Sequence, residues 1–169
     1  MNLKLTYLSL GSNLGDRQIN IQSALNQIDK RAGNIISISK LYENPSFGFE
    51  GDMFYNCCIG LKTILSPVEL LNEILLIEKE GGRIRKMEEG YLSRTIDIDI
   101  LFYENQTINS DELKVPHPKL HERNFVIKPL LDIAKGKIHP FFKKSILEIG
   151  DELKAVSYTH LTLPTSVIV

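Results

Sequence analysis

Two aspartates, Asp97 and Asp99, stand one residue apart inside the apolar run Ile96, Ile98, Ile100. On a strand this spacing puts both carboxylates on one face, their Cα atoms about 6.6 Å apart, and turns the isoleucines to the other. Like charges held so close repel unless a divalent cation or a proton lies between them. Oxygen ligands with no thiol nearby suit Mg²⁺, which keeps waters and takes further ligands from phosphates. Alone, the D-x-D pattern describes a half-solvated amphipathic strand equally well. The preceding segment adds weight, because Arg83, Arg85 and Arg94 bracket a loop that also holds Gly82 and Gly90, just after Gly81. Arginine forks bind phosphate oxygens in pairs, and glycines let a loop approach a ligand closely. Divalent metal plus arginines is the combination that phosphoryl transfer requires. Neither a P-loop nor a protein-kinase catalytic motif is present, so any ATP is held by another architecture. His117 and His121 are four residues apart, but Pro116 and Pro118 argue against the continuous helix that a zinc pair would need. His117 reads instead as a hydrogen-bond donor to phosphate.

The elements that must position these groups follow from periodicity. Residues 3–10 alternate as a strand and run into a turn-rich Gly11-Ser12-Asn13-Leu14-Gly15, a weak anion-site signal. Asp16 opens a helix with Ile21, Ala24, Leu25 and Ile28 on one face, ending near Gly33. Strands are expected at 35–41 and 54–63, separated by a polar, glycine-rich loop at 43–52. Ser66-Pro67-Val68-Glu69 combines an N-cap, proline at the first helical position and a reciprocal glutamate, so it starts a helix that Gly81-Gly82 closes. A fourth strand at 95–102, a short partner at 107–108, and helices at 125–133 and near 145–149 complete the chain. The order β-α-β-β-α-β predicts an α+β, ferredoxin-like core, an antiparallel sheet with helices covering one face.

The chain of 169 residues is 43% hydrophobic and 24% charged with a net charge of −1, which describes a globular domain with no general attraction for nucleic acid or anionic lipid. The adjacent Cys57 and Cys58 point to opposite faces of a strand, so they read as two buried free thiols. No signal peptide or membrane-length apolar run occurs, and the expectation is a cytoplasmic monomer. Residues 156–166 are threonine-rich and almost uncharged after a chain dense in lysine and glutamate. They read as translated adaptor sequence, which puts the domain at 1–154 and a non-native tail at 155–169.

With these residues in hand, the chain resembles the 6-hydroxymethyl-7,8-dihydropterin pyrophosphokinase family from about Tyr7 to Leu131. The opening G-S-N-L-G-D turn, Gly82-Arg83-Ile84-Arg85-Lys86, Arg94 through Asp99, Val115-Pro116-His117-Pro118 and Arg123-Asn124-Phe125 match family motifs in order and spacing. The resemblance implies transfer of pyrophosphate from ATP to the pterin hydroxymethyl group in folate biosynthesis, releasing AMP. It implies that Asp97 and Asp99 hold two Mg²⁺ ions, and that Arg83 and Arg94 act in catalysis with them. Glu78, Arg83, Arg85, Arg94, Ile100, His117 and Arg123 would form the ATP site. Phe54 and Phe125 would sandwich the pterin, with Asn56 on its polar edge and Asn44 and Pro45 assisting. The chain departs from the family pattern at Tyr91-Leu92-Ser93, where a tryptophan-glycine-proline run is common, at Phe54 in place of tyrosine, and at Asn44 in place of threonine.

Overall fold

The computed structural model describes residues 2–44, 53–81 and 95–160, with side chains through Lys154. Its first strand, β1 (Lys4–Ser12), runs two residues past the expected end, so Gly11 and Ser12 belong to the sheet and not to a turn. Helix α1 (Arg17–Arg31) begins where the sequence predicts, because the Asp16 carboxylate accepts the Ile19 N–H at 3.1 Å. β4 (Phe54–Thr63) and α2 (Pro67–Glu80) also match expectation. At the start of α2, Ser66 Oγ accepts the Glu69 N–H at 3.2 Å while Glu69 Oε1 accepts the Ser66 N–H at 2.9 Å.

The strand expected at 35–41 is divided into β2 (Asn34–Ile38) and β3 (Tyr42–Asn44), which pair with successive parts of β4. The division falls where Ser39 Oγ accepts the Cys58 N–H and the Lys40 N–H donates to Asp132, so side chains replace ladder partners. With β5 (Asp97–Tyr103) the order across the sheet is β2-β4-β1-β5, β3 also pairing with β4, and every pairing is antiparallel. This is the ferredoxin-like α+β arrangement. The short strand β6 (Ile108–Asn109) pairs with β7 (Lys114–Val115) as a separate hairpin.

Both faces of the sheet are covered, where the sequence order suggested one. On the first face, α1 and α2 bring Ile21, Ile28, Leu70 and Ile74 against Leu8, Leu10, Cys57, Ile98 and Ile100. On the second, α3 (Asn124–Ala134) and α4 (Ile146–His160) bring Val126, Leu130 and Ile149 against Cys58, Leu101 and Phe102. The two neighbouring cysteines thus belong to different cores, and both are free. Helix α4 is longer than expected and its backbone runs across the boundary expected at Lys154; residues 161–169 lie outside the described residues. No described helix is long and apolar enough to cross a membrane.

One polar contact joins α2 to the edge strand. Glu78 is 2% exposed and its Oε2 accepts the Ile98 N–H at 2.7 Å. Removing that acceptor leaves a buried donor unsatisfied, so Glu78→Ala is expected to cost about 1–3 kcal/mol in denaturant unfolding, and Glu78→Gln, which keeps an acceptor, less. Equal losses for the two variants would show that packing, not the hydrogen bond, sets the cost.

Candidate functional site

The ladder brings the predicted residues together. Gly11 on β1 pairs with Asn56 on one side and Asp97 on the other; two residues earlier, Ser9 pairs with Cys58 and Asp99. Side chains alternate along a strand, so Asn56, Cys58, Asp97 and Asp99 all project from the face that α3 covers. Ile96, Ile98 and Ile100 are buried on the opposite face. The expected arrangement of Asp97 and Asp99 on one face, with isoleucines behind them, is therefore present. Both acids are half-buried.

Gly11 is the residue whose role the sequence reading missed. A Cβ built there would lie 2.8 Å from Asn56 Nδ2 and 3.6 Å from Phe54 Cδ1. The absence of a side chain lets the Asn56 amide and the edge of the Phe54 ring lie across β1 beside the acids. A glycine inside a strand marks such a close approach, and that signal was hidden when Gly11 was read as the start of a turn. The Asn56 amide is only 5% exposed, and its Oδ1 accepts from Asn44 Nδ2 at 2.9 Å. Asn44 itself pairs with Phe54 in the β3–β4 ladder. Asn44, Phe54 and Asn56 therefore form one continuous patch.

The start of α3 packs on the same face of the sheet, where Cys58 Sγ lies 3.7 Å from the Val126 carbonyl. Phe125 packs at the margin of the second core, and the Arg123 guanidinium lies 5.4 Å from its ring centre. His117 arrives through an irregularity in the sheet: Tyr7 pairs with Phe102 but Leu8 pairs with Ile100, so Leu101 is an extra residue on β5. The Leu101 carbonyl accepts the His117 N–H at 3.0 Å, which brings His117 alongside the acid strand. His117 Nδ1 accepts the Lys119 N–H at 3.1 Å, so in the neutral ring the proton sits on Nε2, a donor. Burial, with the Arg123 and Lys119 charges adding to it and Asp97 opposing, lowers the His117 pKa from 6.5 to about 4. His121 lies in the single 3-10 turn Leu120–Glu122, edge-on to Phe142 with ring centres 4.8 Å apart, so the histidine pair has separate surroundings.

Two residues assigned to the ATP site by resemblance have their side chains elsewhere. Glu78 is held by the Ile98 N–H, and Ile100 is in the core beneath α1 and α2. Pro45, Arg83, Arg85 and Arg94 lie outside the described residues. Among the described residues no group of three or more His, Cys, Asp or Glu could hold a metal by itself. A cleft of about 200 Å³ lies between α1 and α2, lined by Asn20, Gln27, Glu80 and Thr95, and shares no residue with the Asn56–Gly11–Asp97 row. The row carries the paired acids, an oriented amide and the edge of the Phe54 ring, while the cleft has no comparable group.

Two outcomes are expected. Gly11→Ala forces Asn56 to move, so it should weaken binding of a ligand at the amide patch about tenfold or more and cost about 1–3 kcal/mol of stability. Calorimetry with each substrate separately would detect this, and unaltered affinity would exclude the close approach as a requirement. For His117 the folded pKa lies below the unfolded one, so the unfolded chain binds more protons between pH 6.5 and about 4. Stability is full above pH 6.5 and falls as the pH drops through that window; His117→Gln should flatten the fall in denaturation midpoints measured across it.

The family model described as 7,8-dihydro-6-hydroxymethylpterin-pyrophosphokinase matches residues 7–135. The 2-amino-4-hydroxy-6-hydroxymethyldihydropteridine pyrophosphokinase of Aquifex aeolicus is 43% identical over 147 residues, covering 86% of this chain and 90% of that protein. The folic acid synthesis protein fol1 of Pneumocystis carinii is 43% identical over 148 residues, 87% of this chain, which spans only 20% of that longer protein. The same holds for the Dictyostelium discoideum protein FOL1, of which the chain covers 20%. Among solved structures, wild-type Plasmodium falciparum HPPK-DHPS with pteroate has the same fold at 16% identity and TM-score 0.80, covering 98% of this chain and 47% of that one.

Proposed function

We infer the chemistry from one premise: the chain belongs to the 7,8-dihydro-6-hydroxymethylpterin-pyrophosphokinase family. It transfers pyrophosphate from ATP to 6-hydroxymethyl-7,8-dihydropterin in folate biosynthesis. The hydroxymethyl oxygen forms a bond to the β-phosphorus, the bond from that phosphorus to the α–β bridging oxygen breaks, AMP leaves, and the hydroxyl proton is lost. The carrying observation is the Asn56–Gly11–Asp97 row, which sets an oriented amide patch beside a pair of carboxylates on one face.

The donor set fits two Mg²⁺ ions. Asp97 and Asp99 offer hard oxygens from one strand face, and phosphates and waters would complete the coordination that two carboxylates cannot. When bound, Mg²⁺ supplies positive charge against the triphosphate and acidity to the attacking alcohol. The chain's own residues bind and orient. Phe54 and Phe125 border the pterin site from the sheet and from α3, where a flat heterocycle gains stacking on both sides. Asn56, held by Asn44, presents its amide to the pterin edge, with Pro45 assisting. His117 donates from Nε2 to a phosphate oxygen without adding charge, and Arg123 adds a cation beside it. Arg83, Arg85 and Arg94 are assigned to the triphosphate, and Arg83 and Arg94 to stabilising charge in the transition state. Glu78 and Ile100 serve the ATP site from behind, by holding β5. This unit is residues 1–154, acting as a cytoplasmic monomer on two small-molecule substrates.

AMP formation from ATP and Mg²⁺, with and without the pterin, tests the reading. AMP is expected only with the pterin, and Asp97→Ala should lower kcat by about a hundredfold or more. ADP in place of AMP would assign transfer of a single phosphoryl group, and pterin-independent turnover would exclude the pterin as acceptor.

A further inference from the structure

Asp132 lies in the last turn of α3, far along the helix from Phe125, and no role in the reaction has been given to it. The seven-residue separation returns it to nearly the same helical face as Phe125, about 10 Å further along the axis. Its Oδ2 accepts two hydrogen bonds from the segment leading into β3, the Tyr42 hydroxyl at 2.8 Å and the Lys40 N–H at 3.1 Å. Desolvation of the phenol and this carboxylate together push the Tyr42 pKa up to about 12, which keeps the hydroxyl a donor at physiological pH. Tyr42 is the ladder partner of Asn56, and Asn44, two residues on and on the same face, donates to Asn56 Oδ1 at 2.9 Å. Ser39, at the other side of the interruption, is fixed to Cys58 by backbone and hydroxyl bonds, both 2.9 Å.

A covalently continuous, hydrogen-bonded path thus runs from the stacking wall to the polar edge of the site. Phe125 starts α3, Asp132 ends the useful length of it, and Tyr42 passes the position to Asn44 and Asn56. An exposed carboxylate hydrogen-bonding a tyrosine ordinarily contributes little to global stability. Its distinguishing feature is that both donors, Lys40 and Tyr42, lie within four residues of Asn44 on the same segment, so its effect concentrates there.

We propose that Asp132 is a positioning residue for the pterin site: by holding Lys40 and Tyr42 it sets the distance between the Phe125 wall and the Asn44–Asn56 amides. This rests on the pterin reading above, and one arm of the test is independent of it.

The test uses the full chain with Asp132→Ala, a substitution that favours helix, and Tyr42→Phe, which removes one hydroxyl. Asp132→Ala should raise the pterin KM about five- to tenfold and Tyr42→Phe about two- to threefold, with kcat and the ATP KM within about twofold of the parent. In an Asn44→Ala background Asp132→Ala should add little further, because the side-chain path to the Asn56 amide runs through Asn44. Without ligand, the Asn44 side-chain amide resonance should shift in Asp132→Ala. An unchanged pterin KM overturns the proposal, as does a parallel loss of kcat, both KM values and melting temperature, or full additivity with Asn44→Ala. If the parent chain does not use the pterin, the functional reading fails, and the Asn44 resonance alone decides whether Asp132 positions that amide.

Discussion

The Glu78 carboxylate and the Ile98 N–H hold together two things that the rest of the molecule needs at once. Ile98 stands between Asp97 and Asp99, so a bond to its amide fixes the backbone between the two acids without touching either carboxylate. A carboxylate so deeply buried costs several kcal/mol unless strong donors face it. Its position is therefore determined by β5 as firmly as β5 is determined by it. With β5 on the outside of the sheet and paired, among the described residues, with β1 alone, this contact from α2 supplies a second constraint on an edge that one ladder would leave free to shift.

The two faces of the sheet divide the work. Under α1 and α2 the strands present mostly apolar side chains, whose burial favours folding. Under α3 and α4 the inner half of the same strands is apolar at Cys58, Leu101 and Phe102, but the outer half turns polar at Asn56, Asp97 and Asp99. Asp97 and Asp99 there stay half-exposed, whereas Asn56 is buried and has its carbonyl oxygen held by Asn44. At the start of α3 the Arg123 guanidinium lies over the Phe125 ring, while Val126 and Leu130 fill the core behind.

Electrostatics follows the same economy of placement. The chain has a net charge of −1, so attraction for a triphosphate must arise locally. Asp97 and Asp99 by themselves would repel it, and in the proposed reaction a divalent cation between them and the phosphates would remove that repulsion. Burial beside Arg123 keeps the His117 ring neutral, so in the proposed reaction it would offer a hydrogen bond and no positive charge. In that proposal the cationic contribution falls to the arginines.

Much of this was legible in the sequence, because it is local. The Asp16 and Ser66 caps, the alternation that buries Ile96, Ile98 and Ile100 while lining up Asp97 and Asp99, and the opposite faces of Cys57 and Cys58 all depend on neighbours a few residues away. The ferredoxin-like order followed from the sequence of elements. What depended on partners far along the chain could not be read this way. Gly11 becomes a strand residue only because Asn56 and Asp97 flank it, and the long strand at 35–41 divides only because Asp132, some 90 residues away in sequence, takes its backbone and hydroxyl donors. The extra residue at Leu101 that brings in His117, the second helical layer, and the inward turn of Glu78 have the same origin. Periodicity reports which face of an element is apolar, whereas tertiary packing decides which distant group meets each remaining polar atom, and the site is built from those meetings.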